Sequence, residues 1–203
     1  MITSNLYQKA LEEMLTASSD DCQHFFVENN CTLELAYWEL LHKNTQKASE
    51  LFAAISDFDI RAHWGVFISN LVQGEAKGYP TYFELRNFFE IDLNLFFTYY
   101  LGNYIENIIR YIDWLFTINP EILKFTGRTF LVNGYEKYGL MFLLRAKEYF
   151  FNDPELHYLL AEYYTKENDI KSAQEALLNC LNILPAYFPA LTLQRKLKLN
   201  CKK

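Results

Sequence analysis

Apolar and small residues recur in the last third of this chain with the i, i+3, i+4, i+7 spacing of one helix face. The first such set is Leu123, Thr126, Gly127 and Phe130, and thirty-four residues later it returns as His157, Leu160, Ala161 and Tyr164. A second set, Gly139, Leu143 and Ala146, returns at the same offset as Ala173, Leu177 and Cys180. The pattern predicts two consecutive helical hairpins of one design.

Matching helix-start residues precede both hairpins. Residues 119–122 read Asn-Pro-Glu-Ile, and residues 153–156 read Asp-Pro-Glu-Leu. A capping residue, a proline at the first helical position and an acid in the first turn are typical of a helix N-terminus. Turn-forming residues at 132–134 and 167–169 separate the two helices of each copy. The alternative is two unrelated helix pairs that match by chance. However, the capping residues, the helix faces and the turn all recur at the same offset.

The small residues in the two copies predict close contact between paired helices, because a side chain without bulk lets two backbones approach. These residues are Gly127, Gly139, Ala161 and Ala173. The larger residues of the pattern are then expected to fill the space between hairpins.

On these residues the chain resembles the tetratricopeptide repeat family. The best copy spans residues 154–185, with Leu160, Ala161 and Tyr164 on its first helix and Pro185 at its end. Weaker copies span residues 120–153 and 89–119, and another is visible at residues 29–60. The segment from 60 to 88 is the least regular, and its Gly and Pro residues from 74 to 80 predict a long turn.

We therefore predict an all-α fold, an α-solenoid of about five to six stacked antiparallel helical hairpins. A single repeat domain is expected over residues 1–203, with clear repeats at 89–119, 120–153 and 154–185, divergent repeats over 1–88 and a C-terminal capping helix at 186–203. Composition agrees, since seven glycines and five prolines in 203 residues are few for an all-β domain.

Charge argues against a nucleic-acid-binding protein. The formal net charge is −6, and the one concentration of lysine and arginine is the tail, residues 195–203. That tail is either a patch for an acidic partner or a solvated last helix whose cations favour the negative helix end.

The sequence contains no motif of a known catalytic or cofactor site. It lacks the glycine-rich nucleotide-binding loops and the HExxH zinc motif, and its four histidines are scattered. Cys22, His24 and Cys31 lack the paired spacing of a zinc site. We expect no enzymatic activity, no metal and no cofactor.

The chain shows neither a secretory signal nor an apolar run long enough to span a membrane. Its four cysteines have no paired order, which is typical of reduced thiols. These observations predict a cytoplasmic protein.

A binding surface remains as the expected activity. In stacked hairpins the first helix of each pair lines the inner side, and its residues not used in packing are free to meet a ligand. The resemblance implies the same groove. The first-helix positions that the packing pattern leaves free are Tyr37, Leu41, Phe97, Tyr100, Lys124, Arg128, Tyr158 and Glu162. The alternative is that the aromatic members fill the core between repeats or a dimer seam.

Two functions fit such a groove. The first is an adaptor or scaffold that holds a peptide or helix of a partner protein. The second is a dedicated chaperone for an aggregation-prone client, as in small acidic tetratricopeptide proteins of bacterial secretion systems. A homodimer is a third option, because the leucines near each end of the stack could cap it or pair between copies.

Overall fold

A computed structural model describes the backbone of residues 4–200 and the side chains of residues 5–197. This part of the chain forms thirteen α-helices and no strand, which confirms the all-α prediction. The helices are α1 Ser4–Thr16, α2 Cys22–Glu28, α3 Thr32–Leu41, α4 Thr45–Ile55, α5 Ile60–Leu71, α6 Tyr82–Thr98, α7 Gly102–Arg110, α8 Ile112–Ile118, α9 Ile122–Val132, α10 Glu136–Tyr149, α11 Pro154–Lys166, α12 Ile170–Ile183 and α13 Phe188–Asn200.

The helices form two compact units, residues 1–119 and residues 120–203. Their formal charges differ in sign. The first holds seven basic and sixteen acidic residues, a net charge of −9, and the second holds twelve and nine, a net charge of +3. The single repeat domain expected over the whole chain stays a prediction.

In the first unit, neighbouring helices pack in sequence order. α3 pairs extensively with α4 and α4 with α5, while α3 also contacts α5. Small residues allow this packing: Ala36 and Ala48 are fully buried, and a Cβ on Gly65 would lie 2.4 Å from the Phe52 ring. The expected long turn between α5 and α6 is present, and the Tyr111 hydroxyl holds it by donating to the Gly74 carbonyl at 2.6 Å.

The repeat expected at 89–119 has different helix bounds. α6 begins at Tyr82 because the Thr81 side chain accepts from the Glu84 amide while the Glu84 carboxylate accepts from the Thr81 amide. This capping box starts the helix well before residue 89. In place of one second helix, the chain forms two short helices, α7 and α8, with Tyr111 between them.

The second unit contains the two hairpins that the pattern predicted most clearly. α9 pairs with α10 and α11 with α12, and the first helices of successive pairs also meet, α9 with α11 and α11 with α13. A Cβ on Gly139 would lie 2.9 Å from the Gly127 carbonyl oxygen, so α9 and α10 touch through their backbones. The predicted close approach is confirmed there, and the equivalent Ala161 and Ala173 are fully buried.

Only one of the two predicted helix starts has the expected arrangement. The Asp153 carboxylate accepts from the amides of Glu155 and Leu156, with Pro154 at the start of α11. The corresponding segment at 119–122 differs from this arrangement. Asn119 is extended, Pro120 lies in a turn outside α9, and Glu121 precedes the helix without a side-chain cap.

Candidate functional site

Three of the four groove residues expected in the first unit are buried. Tyr37, Leu41 and Phe97 are 5%, 2% and 9% exposed. The Tyr37 hydroxyl donates to the buried Asp92 carboxylate at 3.2 Å, and its ring packs edge-on against Phe52. These side chains fill the core and are not accessible to a ligand, so they do not line a groove.

Tyr100 is the exposed member of that set, at 93%. It occupies the turn between α6 and α7 with a left-handed φ of 55°. It lines a polar cleft of about 250 Å³ together with Lys43 and Asn103. The cleft lies at the helix ends, whereas the groove was expected along the first helices.

Lys124, in the second unit, is a buried cation held by carboxylates. Its Nζ lies 2.6 Å from Asp153 and 3.1 Å from Glu155, and its side chain is 7% exposed. Burial acts to lower the pKa of Lys124, but the hydrogen bonds and charges of Asp153 and Glu155 outweigh it and raise that pKa. Lys124 therefore links α9 to the start of α11 by ion pairs and is not free for a ligand.

Arg128 lies one turn further along α9. Its guanidinium donates to Glu155 and lies 5.8 Å from the centre of the Phe125 ring. The side chain remains 28% exposed. It is thus both part of the ion-pair network and open to solvent on one side.

Tyr158 and Glu162 lie on α11 and contact each other. The Tyr158 hydroxyl donates to the Glu162 carboxylate, and the Tyr158 ring packs on Tyr187 at 5.6 Å. Burial and this hydrogen bond raise the pKa of Tyr158. Glu162 is exposed and makes no ion pair with any residue that the structure describes. Its charge is therefore open to a cation from outside the chain.

Two of the predicted residues, Arg128 and Glu162, come together at a cleft between α9 and α11. The cleft has a volume of about 170 Å³. Its lining consists of Arg128, Leu131, Val132, Glu136, Leu159, Glu162, Tyr163 and Lys166. Leu131, Leu159 and Tyr163 make it apolar between charged edges, and Lys166 pairs with Glu136 across it.

The sequence reasoning missed most of this lining, although the repeat contains a signal for it. Arg128 and Glu162 are thirty-four residues apart, as are Val132 and Lys166. Both pairs therefore occupy equivalent positions on successive first helices. Val132 is 76% exposed despite its apolar side chain, which makes it the most exposed apolar residue of the cleft.

A second, larger cleft in the first unit is lined mainly by polar and charged residues. It has a volume of about 660 Å³ and surrounds Glu39, which is 1% exposed. Glu39 accepts from Asn44 at 2.7 Å, from Lys47 at 2.5 Å and from Gln23 at 3.3 Å. Burial acts to raise the pKa of Glu39, but these donors outweigh it and lower that pKa. The carboxylate is thus an ionised link between α2, α3 and α4.

Each buried carboxylate of the first unit has a basic partner. Besides Glu39, Glu84 binds His63 and Asp92 binds Arg61. These contacts join different helices, so each of the three carboxylates takes part in the packing of the unit. Among residues 4–200, no group of three His, Cys, Asp or Glu side chains is arranged to hold a metal ion.

No helix in the described part of the chain combines the length and apolar character that crossing a membrane requires. Comparisons with models of known protein families, with curated protein sequences and with solved structures found no match to this chain.

Proposed function

We propose that this chain is a protein-interaction adaptor, and that the cleft between α9 and α11 holds an amphipathic helix or extended peptide of a partner protein. The observation that carries this proposal is the cleft itself. An apolar floor between two first helices, edged by charges, is the kind of surface that takes apolar anchor residues of a peptide.

The charges of the cleft define the partner further. Arg128 and Lys166 each have an acidic partner within the unit, whereas Glu162 has no basic partner among the described residues. We therefore expect the bound segment to place a lysine or arginine beside its apolar anchors, opposite Glu162. Such a contact at the rim would contribute more to specificity than to affinity.

The proposed fold behind this function is a tetratricopeptide-like stack of five to six hairpins. The contacts of α9 with α11 and of α11 with α13 support it, because stacked hairpins bring successive first helices side by side. We further propose a non-enzymatic role in the cytoplasm. The dedicated-chaperone alternative predicts a chain that stays soluble only with one dominant client.

Affinity capture with matched variants tests the adaptor function. Val132→Glu and Glu162→Lys change exposed side chains of the cleft, and Leu178→Glu makes a comparable change at a 57% exposed site on α12. We expect a captured partner to be lost with both cleft variants and retained with Leu178→Glu. Retention by all three variants would contradict a cleft site.

A further inference from the structure

The outer face of α10 carries a second apolar stripe that its own hairpin does not use. Phe142, Leu143 and Ala146 are buried against the rest of the unit. On the opposite side of α10, Met141 and Leu144 are 44% and 41% exposed. An amphipathic helix normally keeps such residues on its packed face, so this face has the composition of an interface.

Side chains of opposite charge lie at the two ends of the stripe formed by Met141 and Leu144. Lys137 lies one turn before Met141, and Glu148 lies one turn after Leu144. Both side chains are exposed, and neither forms an ion pair with any residue from 5 to 197. The order Lys137, Met141, Leu144, Glu148 has the four-three-four spacing of a helix–helix seam.

We propose that this face binds a second copy of the chain, with the two α10 helices packed antiparallel about a two-fold axis. The axis passes between Met141 and Leu144. Met141 of each copy then lies opposite Leu144 of the other, and Lys137 lies opposite Glu148. One surface thus supplies both halves of every contact, as an isologous interface requires.

The charge order selects the second copy and its direction. A parallel pair would place Lys137 opposite Lys137 and Glu148 opposite Glu148, which is repulsive at both ends. The antiparallel pair makes two opposite-charge contacts instead. Because α10 has only 14 residues, about 21 Å of helix, the shared area is small and the dimer is expected to be weak and reversible.

Sedimentation equilibrium on the full chain over a concentration series tests the dimer. Lys137→Glu should raise the dimer dissociation constant roughly tenfold, since it creates two like-charge contacts, and Glu148→Lys should do the same. The double variant Lys137→Glu with Glu148→Lys should restore association. Lys171→Glu, an equal charge change on α12, is the control and should have no effect.

A mixing experiment tests whether the charges at the two ends of the stripe face each other across the dimer. The Lys137→Glu chain carries two acids at the ends of the stripe, and the Glu148→Lys chain carries two bases. In the antiparallel register their heterodimer has opposite charges at both contacts, so the mixture should associate more tightly than either variant alone. A wild-type chain that stays monomeric throughout, as for a face that takes a different protein, would overturn the proposal, as would a double variant that fails to recover.

Discussion

Gly127 and Gly139 face each other across the α9–α10 hairpin so closely that neither position has room for a Cβ. A methyl group on Gly127 would lie 3.1 Å from the Gly139 carbonyl oxygen and 2.7 Å from the Leu143 side chain. On Gly139 it would lie 2.9 Å from the Gly127 carbonyl oxygen. The contact is between backbones, so it fixes the separation of the two helices and, with it, the position of α9 beside the cleft.

Gly139→Ala is therefore expected to destabilise the second unit by about 1–3 kcal/mol, although alanine is the better helix former. The backbone oxygen at 2.9 Å cannot move aside as a flexible side chain would. Urea unfolding followed by circular dichroism measures the effect. Gly102→Ala is the control, because no atom lies within 4 Å of its Cβ position. Equal stability of the two variants would contradict the close contact.

Arg61→Met should destabilise the first unit by about 3–5 kcal/mol, because it leaves the fully buried Asp92 carboxylate without its cation. Burial raises the pKa of Asp92, and the Arg61 charge lowers it. Arg61→Met with Asp92→Asn should recover part of the loss, which a double-mutant cycle would quantify. Lys9→Met removes an exposed pair with Glu13 and should cost less than about 1 kcal/mol. A similar small cost for Arg61→Met would argue against a buried ion pair.

Glu39 predicts a specific pH dependence of stability. Its folded-state pKa is lowered from the ordinary 4.5, so the folded chain binds this proton less readily than the unfolded chain. The contribution to the free energy of unfolding is therefore present above pH 4.5 and is lost as the pH falls through the lowered value. Urea unfolding of the wild type and Glu39→Gln across the acid range should show a difference that shrinks on acidification. A difference independent of pH would contradict this assignment.

Glu162→Lys should reverse the charge preference of the cleft. Synthetic amphipathic helices with the same apolar face and either lysine or glutamate beside it provide the comparison. We expect the wild type to prefer the lysine peptide and Glu162→Lys to prefer the glutamate peptide, each roughly tenfold. Fluorescence anisotropy measures both affinities. Unchanged preference in the variant would place the bound peptide elsewhere.

The sequence was informative where local patterns and packing agree. The thirty-four-residue offset predicted both hairpins of the second unit. The small residues Gly127 and Gly139 predicted the close contact between α9 and α10. The start of α9 was not predicted correctly. Pro120 was expected at the first helical position, where Pro154 lies in α11, but Pro120 is in a turn before the helix begins at Ile122.

The groove was harder to predict. The helical period shows which residues share a face of a helix, but it does not show whether that face is buried. The pattern places Tyr37 among the first-helix residues that are not needed for packing. In the structure its hydroxyl donates to Asp92, which is far away in sequence, and the side chain is buried. Lys124 likewise pairs with Asp153 from the next hairpin. Such long-range partners have no local signal. Val132 and Lys166 could have been found from their shared repeat position.

Site-specific photo-crosslinking tests the central claim most directly. A photoreactive residue at Val132 samples the cleft, and one at Leu178 samples an exposed apolar site on α12. We predict that Val132 crosslinks to one partner segment with apolar residues beside a lysine or arginine, that Glu162→Lys abolishes this product, and that Leu178 does not yield it. Crosslinking from both positions alike, or from neither, would contradict a partner held between α9 and α11.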